Sequence, residues 1–183
     1  GSVGIAEYVQ KMYPKKKPVT IYYGYSKKIF NPAKFSKAKL LGIRKKYGIE
    51  KDTVLGVYVG NISGEGRGVV GKYYRLDILI DAAKIISEKN KNVKFLIAGK
   101  GDYVEKMLEK IQQYNLQHVV KFIGYLPYEK VAEVMAISDF CLLPMNQDGS
   151  AKLQEYIGML KPIVATEDDD FHGKHNKLIS RGN

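Results

Sequence analysis

The sequence predicts a doubly wound α/β fold, in which helices cover both faces of a parallel sheet. From Thr53 onward, short apolar runs alternate five times with segments of helical periodicity. Only short connections separate them, and this alternation is typical of parallel strands joined by helices. The chain of 183 residues is long enough to bury the core of one domain.

The five predicted strands are short and apolar. Val54–Gly60 is rich in β-branched residues and ends in glycine, which is typical of a strand buried on both faces. The remaining four predicted strands are Val93–Gly99, Val119–Tyr125, Phe140–Pro144 and Pro162–Thr166. Because a helical segment separates each strand from the next, a parallel arrangement is expected.

Four helices are predicted between these strands. In Leu76–Glu88, apolar residues recur at helical spacing. Asp102 is the predicted N-cap of a helix that ends at Tyr114. Pro127 stands where helices often begin and precedes the predicted helix Tyr128–Ile137. The last predicted helix, Ala151–Leu160, connects the fourth and fifth strands.

Residues 1–50 are less regular, and we predict that they form a basic lead-in segment packed on a domain of residues 51–183. The lead-in contains a predicted helix (Val3–Met12), a strand (Val19–Tyr23) and a basic helix (Phe35–Tyr47). Because doubly wound sheets commonly have a sixth strand, the C-terminus is expected to be cut or disordered.

The net charge of +11 is concentrated near the N-terminus. Residues 1–50 hold twelve Lys and Arg against two Glu, which gives +10, so the rest of the chain is nearly neutral. The favoured interpretation is a solvated lysine-rich surface, as in many heat-adapted proteins. The alternatives are attraction to a membrane surface, another domain or a polyanion. No recognisable nucleic-acid motif accompanies the charge, so no specific nucleic-acid partner is expected.

Composition favours a cytoplasmic protein, with the basic segment as a potential contact to the membrane surface. No apolar stretch approaches the ~20 residues of a membrane helix, and the N-terminus lacks the apolar core of a secretory signal. The single cysteine, Cys141, lies in an apolar run and is predicted to be buried.

In open parallel sheets, ligands bind beyond the carboxyl ends of the strands. That rule places five loops at the site: 60–75, 99–102, 124–128, 144–151 and 166–175. The first loop is glycine-rich, but it lacks the spacing of the dinucleotide fingerprint and of the P-loop. Two interpretations of it stay open: a mobile surface loop, or a phosphate-side loop whose cations are Arg67, Lys72 or Arg75.

The segment from Met145 to Glu155 is the strongest candidate for a ligand site. Gly149 allows close backbone approach, and Ser150 can cap the helix that follows. The amides of residues 150–152 and the helix dipole favour an anion there. Glu155 can accept both hydroxyls of a ribose, although its helical position alone favours a solvent-facing glutamate.

The stretch Gly149–Thr166 (GSAKLQEYIGMLKPIVAT) resembles the helix-and-strand signature of retaining GT-B glycosyltransferases of the group 1, or GT4, type. That family shows a Lys-Leu-x-Glu-Tyr or Leu-Glu-Ala core followed by Gly-Lys-Pro-Val-hydrophobic-Ala. Six further segments are similar to family landmarks in the expected order: Ile21–Pro32, Tyr58–Gly60, Leu79–Ala82, Phe95–Asp102, Val120–Pro127 and Ser138–Pro144. Seven ordered matches make the resemblance specific. It implies a Rossmann-like domain that forms the C-terminal half of a GT-B architecture.

The resemblance also implies a nucleotide-sugar site. Glu155 matches the second glutamate of the family's E-x7-E motif, which holds the donor ribose. The first glutamate falls at Gln147, with Asp148 beside it, and these two are the candidates for donor-sugar contact. The resemblance assigns two further groups: Gly149, Ser150 and Ala151 to the loop whose amides hold the diphosphate, and Gly124, Tyr125 and Leu126 to the turn that lines the nucleobase.

Diphosphate neutralisation is where the chain departs from the family pattern. The family usually places an Arg after the glycine of the first strand and a Lys shortly before the first helix. Asn61 stands at the position of the Arg. Lys72 or Arg75 has to replace the Lys, and these two residues are therefore predicted to bind the diphosphate.

The resemblance implies that the full-length protein transfers a hexose-type sugar, with retention, from a UDP-, GDP- or ADP-sugar to a glycan or lipid-linked acceptor, as in polysaccharide biosynthesis. An N-terminal domain would bind the acceptor and supply the usual catalytic histidine, so no catalytic residue is assigned in this chain. The isolated domain is expected to bind nucleotide without turnover. No cofactor or metal is expected, because adjacent carboxylates in the run Asp168–Asp170 cannot all point to one ion and the family is not metal-dependent in its usual form. His172 and His175 are interpreted as surface residues.

Two alternatives from other classes remain open at this point. Gln147 and Asn61 also fit a non-catalytic nucleotide-binding or regulatory module. The basic segment alternatively fits an interaction domain for membranes or nucleic acid.

Overall fold

The computed structural model describes residues 3–19, 24–63, 76–144 and 151–166. Its five strands are β1 (Val54–Asn61), β2 (Val93–Lys100), β3 (Val120–Phe122), β4 (Phe140–Leu143) and β5 (Ile163–Ala165). All neighbouring strands are parallel, and their order is β3-β2-β1-β4-β5. The predicted doubly wound sheet is therefore confirmed.

Six α-helices accompany the sheet within the described ranges. They are α1 (Val3–Met12), α2 (Lys37–Tyr47), α3 (Leu76–Lys89), α4 (Val104–Gln113), α5 (Tyr128–Ile137) and α6 (Ala151–Gly158). A short 3-10 helix covers Pro32–Lys34. Each of α3 to α6 follows a strand or precedes one, as the alternation in the sequence predicts.

Strand β1 is the centre of the sheet and is buried on both faces. Its odd-numbered residues Leu55, Val57 and Val59 belong to one core cluster, together with residues of α2, α5 and α6. Tyr58 points to the opposite cluster, which includes residues of α3 and α4. This double burial explains why the strand is a nearly continuous apolar run.

Glycine at position 56 allows two aromatic rings to meet across β1. A Cβ added at Gly56 would lie 2.7 Å from the Phe140 ring and 2.9 Å from the Phe95 ring. Those two rings pack edge to face, with centroids 6.4 Å apart. Because the rings belong to β4 and β2, the glycine lets both neighbours of β1 pack closely at its amino-terminal half.

The second half of the lead-in segment shares a core with the sheet. Phe30, Ile43, Tyr47 and Ile49 are buried in the same cluster as β1 and α5. Helix α2 begins two residues later than predicted, because Ser36 caps it by accepting a hydrogen bond from the Lys39 amide. The domain boundary at residue 50 stays a prediction, and residues 20–23 of the predicted strand Val19–Tyr23 lie outside the described ranges.

Two element assignments from the sequence are corrected. Asp102 is not the N-cap of α4: Tyr103 occupies that position, without a side-chain capping hydrogen bond, and its amide donates to the Ile62 carbonyl beyond β1. The predicted strand Val119–Tyr125 is shorter, because Gly124 adopts a left-handed φ of +75°, which a strand does not contain.

Arg44 of α2 links the amino ends of the two central strands. Its guanidinium donates to the carbonyls of Ile137 (2.9 Å) and Thr53 (2.5 Å), which precede β4 and β1. It also lies 3.7 Å from the Asp139 carboxylate, which accepts a 2.7 Å hydrogen bond from the Leu55 amide. These contacts hold β1, β4 and α2 together at the edge of the sheet that lies away from the predicted site.

Replacing Arg44 with Met should lower the free energy of unfolding by about 2 kcal/mol, because the buried carbonyls of Ile137 and Thr53 lose a charged donor. Urea denaturation followed by circular dichroism measures the change. Lys45→Met is the matched control, since Lys45 is exposed on the same helix. Equal stability of the Arg44 variant and its control would contradict the proposed linkage.

Candidate functional site

The connections of the sheet diverge between β1 and β4. From β1 the chain continues to β2 and β3 on one side, whereas β4 and β5 lie on the other side. Such a switch point opens a crevice at the carboxyl ends of the strands, and ligands of doubly wound sheets bind there. Helix α6 begins at this edge because it follows the carboxyl end of β4 and leads back to the start of β5.

Tyr156 fills the space where β1 and β4 separate. The two strands pair only at Gly56–Phe140 and Val57–Cys141. Further along, the fully buried Tyr156 hydroxyl accepts a hydrogen bond from the Val59 amide (3.3 Å) and donates one to the Leu142 carbonyl (3.2 Å). Burial raises the pKa of this hydroxyl well above its ordinary value, so it stays neutral. Helix α6 is thereby fixed to both strands.

Glu155 is partly buried and has a fixed orientation. The Tyr128 hydroxyl, at the start of α5, donates a 2.8 Å hydrogen bond to Glu155 Oε1. The Phe30 ring packs edge to face on Tyr128, with centroids 5.2 Å apart. Burial raises the pKa of Glu155, while the Tyr128 hydrogen bond and the charge of Lys152 oppose the rise. Glu155 is therefore not the solvent-facing glutamate that its helical position alone favours.

The same contact also changes the pKa of the Tyr128 hydroxyl. Burial, followed by the hydrogen bond to Glu155, raises the pKa of Tyr128 to about 12. The phenol is therefore protonated at neutral pH and acts as a hydrogen-bond donor to the carboxylate. In chemical terms, the pair is a pre-oriented acceptor for hydroxyl groups of a ligand.

Lys152 places an ammonium group in the crevice. Its Nζ donates to the Tyr58 hydroxyl (3.3 Å) and lies 4.5 Å from the centroid of the Tyr58 ring. The Tyr58 hydroxyl in turn donates to the Asn61 carbonyl (2.6 Å). Burial lowers the pKa of Lys152 from 10.5 to about 8, and the negative charge of Glu155 partly opposes this decrease.

The absence of a side chain at Gly60 makes room for this ammonium. A Cβ added at Gly60 would collide with Lys152 Nζ and would lie 2.5 Å from its Cε. The same Cβ would be 3.0 Å from the Tyr58 hydroxyl. Glycine at the end of β1 is therefore a steric requirement of the Lys152 position.

The turn after β3 reaches the same edge of the sheet. The Gly124 carbonyl accepts a hydrogen bond from the Gly99 amide (2.8 Å) at the end of β2. Tyr125 is 64% exposed, and Lys100 Nζ lies 4.9 Å from its ring centroid. Leu126 packs against the first core cluster. An accessible ring beside a cation suits a flat aromatic ligand, but the base-lining role of these residues stays a prediction.

Ala151 is the first residue of α6 and is exposed at this edge. Several predicted site residues lie outside the described ranges: Arg67, Lys72, Arg75, Gln147, Asp148, Gly149 and Ser150, and with them Asp168–Asp170, His172 and His175. Asn61 stands where the family usually has an arginine. Its side-chain amide donates a hydrogen bond to the Ser63 hydroxyl.

Sequence reasoning missed Lys152 and Tyr128. Lys152 had a usable signal, because residues three apart on a helix share a face and Lys152 precedes Glu155 by three. No sequence signal pointed to Tyr128, since 27 residues separate it from Glu155.

Within the described ranges, no cluster of three or more His, Cys, Asp or Glu side chains is placed to hold a metal ion. The same part of the chain contains no helix long and apolar enough to cross a membrane.

Comparison with known proteins gives one family match. Residues 43–172 match the sequence profile of a family described as glycosyl transferases group 1. The matched range is more than half of the chain and contains all five strands of the sheet.

Individual relatives are distant. The alpha-D-kanosaminyltransferase of Streptomyces kanamyceticus is 28% identical over 148 residues, which cover 80% of this chain and 35% of that protein. Among solved structures, WaaG, a glycosyltransferase involved in lipopolysaccharide biosynthesis, has a TM-score of 0.68 at 22% identity. The match covers 85% of this chain and 40% of the WaaG chain.

HepE from Anabaena, solved in complex with UDP-glucose, has a TM-score of 0.64 at 19% identity. The match covers 80% of this chain and 38% of the HepE chain. At such identities, the solved structures show that the fold is shared. The chain spans between 35% and 40% of the length of these three relatives.

Lys152 should titrate well below the ordinary pKa of a lysine. NMR of protein with 13C-labelled lysine should show a side-chain resonance with a pKa near 8 that is lost in Lys152→Met. Burial also lowers the pKa of Lys161, and the resonance of Lys161 should persist in that variant. In Glu155→Gln the Lys152 resonance should titrate at a still lower pH, because the carboxylate that favours the ammonium is gone. A pKa of Lys152 at its ordinary value would contradict the buried position of the ammonium.

Proposed function

Because the profile matches more than half of its length, the chain belongs to the group 1 glycosyltransferase family, and we propose that it is the donor-binding domain of a glycosyltransferase. The observation that carries this proposal is the crevice at the carboxyl ends of β1 and β4. There, a pre-oriented carboxylate on α6 stands one turn from a partly buried ammonium on the same helix. Nucleotide sugars require both kinds of group.

In this proposal Glu155 binds the ribose. A carboxylate accepts hydrogen bonds only, and the two hydroxyls of a ribose are neighbouring donors. Tyr128 restricts the carboxylate to one orientation, so less rotamer entropy is lost on binding. The raised pKa of Glu155 does not prevent this role, since ribose hydroxyls and the ammonium of Lys152 both favour the ionised form.

The amides at the beginning of α6 bind the diphosphate in this proposal. The first amides of a helix lack partners within the helix, and its dipole favours an anion. As the bond between the sugar and the diphosphate breaks, negative charge develops on the leaving group. Preorganised donors stabilise that charge, which is the main contribution that this domain makes to catalysis.

The nucleobase lies against Tyr125 in this arrangement. The ring is exposed beside Lys100 and offers a face for stacking. We further propose that the transferred sugar is a hexose delivered with retention to a glycan or lipid-linked acceptor. In this proposal a separate domain binds the acceptor, in keeping with the 35% to 40% of its relatives' length that the chain spans.

The ribose contact is testable by pairing a variant with an altered ligand. Wild-type protein should bind UDP, GDP or ADP in isothermal titration calorimetry, and Glu155→Gln should weaken the best of these about tenfold, because the amide is a poorer acceptor than the carboxylate. The 2′,3′-dideoxy form of that nucleotide should bind wild-type protein with a similar loss.

The decisive result is the combination. If Glu155 acts through the ribose hydroxyls, the Glu155→Gln variant should bind the ribose and dideoxyribose forms almost equally. Tyr128→Phe serves as the matched control for orientation: it keeps the carboxylate and should weaken binding by less than the Glu155 substitution. An undiminished preference of Glu155→Gln for the ribose form would reject this role.

A further inference from the structure

The phosphate side of the crevice presents a problem of charge. A nucleoside diphosphate brings several negative charges to the carboxyl ends of β1 and β4. Asn61, at the end of β1, is neutral and its amide is engaged with Ser63. Helix amides contribute only partial charges. A buried anion of this size requires a full cation in contact with it.

We propose that Lys152 is that cation and that its ammonium binds the diphosphate directly. The assignment rests on the proposed function, because it names a group for the diphosphate of the same donor. The assignment requires no cation of the first-strand loop 60–75, although cations of that loop can contribute in addition.

The position of the ammonium supports the proposal. Lys152 belongs to α6, whose Tyr156 packs in the core cluster on one face of the sheet. Tyr58, which the ammonium contacts, belongs to the cluster on the opposite face. The side chain therefore reaches across the end of β1 where β1 and β4 have separated. That point is the mouth of the crevice.

The order of residues along α6 matches the order of groups in a nucleotide. A helix rises 1.5 Å per residue, so Lys152 is about 4.5 Å nearer to the helix N-terminus than Glu155. When Glu155 holds the ribose, the phosphates extend toward the N-terminus of the helix, where anions are favoured. Lys152 is on the path between the two.

Two contacts with Tyr58 orient the ammonium of Lys152. Tyr58 contributes a ring face and a hydroxyl. Such contacts orient a cation. The pKa of about 8 means that the group is mostly charged at pH 7, and an adjacent diphosphate would increase this fraction.

The test compares ligands that differ only in phosphate number. Calorimetry measures binding of the best among UDP, GDP and ADP, together with its monophosphate and its nucleoside, to wild-type protein and Lys152→Gln. The diphosphate should bind the variant about ten- to a hundredfold more weakly, as expected for loss of a charged hydrogen-bond donor. Nucleoside binding should change less than twofold by the same reasoning, because no phosphate is present.

Gly60→Ala provides an independent test of the geometry. The added Cβ occupies the position of the ammonium but leaves the charge of the protein unchanged. It should displace the flexible end of Lys152 and produce the same diphosphate-specific loss. Lys89→Gln is the matched charge control, since Lys89 is exposed at the end of α3 away from the crevice; its binding constants should equal those of wild type.

The outcomes separate this assignment from the proposed function. If wild-type protein binds none of the three diphosphates, the proposed function is wrong and the assignment of Lys152 is overturned with it. If wild-type protein binds but Lys152→Gln loses affinity equally for nucleoside and diphosphate, or loses none, only the assignment of Lys152 is overturned. Should thermal melting show that Lys152→Gln is unfolded, the result for Gly60→Ala decides.

Discussion

The hydroxyl of Tyr156 is the contact on which the crevice depends. Two parallel strands that separate leave an amide and a carbonyl without strand partners, and buried polar groups of this kind destabilise a fold. In this protein a phenol placed between Val59 and Leu142 satisfies both groups. The sheet can therefore open at its carboxyl edge without losing hydrogen bonds, and the opening becomes available to a ligand.

Tyr156 also determines where the Glu155 and Lys152 side chains of α6 are placed. Because Tyr156 is fixed to β1 and β4, the preceding residues of the helix have fixed directions. Glu155 faces Tyr128 of α5, and Lys152 reaches Gly60 at the end of β1. A carboxylate and an ammonium one turn apart thus line the same opening. Each favours the ionised form of the other, and this opposes the pKa shifts that burial causes in both groups.

The backbone contacts of Arg44 and the predicted ligand site lie at opposite edges of the same two strands. At the amino edge, Arg44 and Asp139 join β1, β4 and α2 through hydrogen bonds to backbone groups. Lys161 adds to this edge by donating to the carbonyls of Ala136 and Ser138. At the carboxyl edge, Lys152 and Glu155 contact the hydroxyls of Tyr58 and Tyr128. The firm connection at one edge allows the other to be open.

What the sequence determined by itself was local. Hydrophobic periodicity predicted the alternation of strands and helices, because burial on one or two faces leaves a direct pattern in the chain. The helix Tyr128–Ile137 was predicted with its observed limits, and the motif around Glu155 identified the family. The ends of α4 and β3 were wrong, since a backbone contact of Tyr103 and the left-handed Gly124 decide them.

Only the tertiary structure decided which side chains act together. Tyr128 and Glu155 meet across 27 residues, and Lys152 and Tyr58 meet across 94. No periodicity records such pairs, because each depends on how α5, α6 and β1 are placed around the switch point. The charges themselves are decided in the same way: burial moves the pKa values of Lys152 and Glu155, and burial is a property of the packed domain.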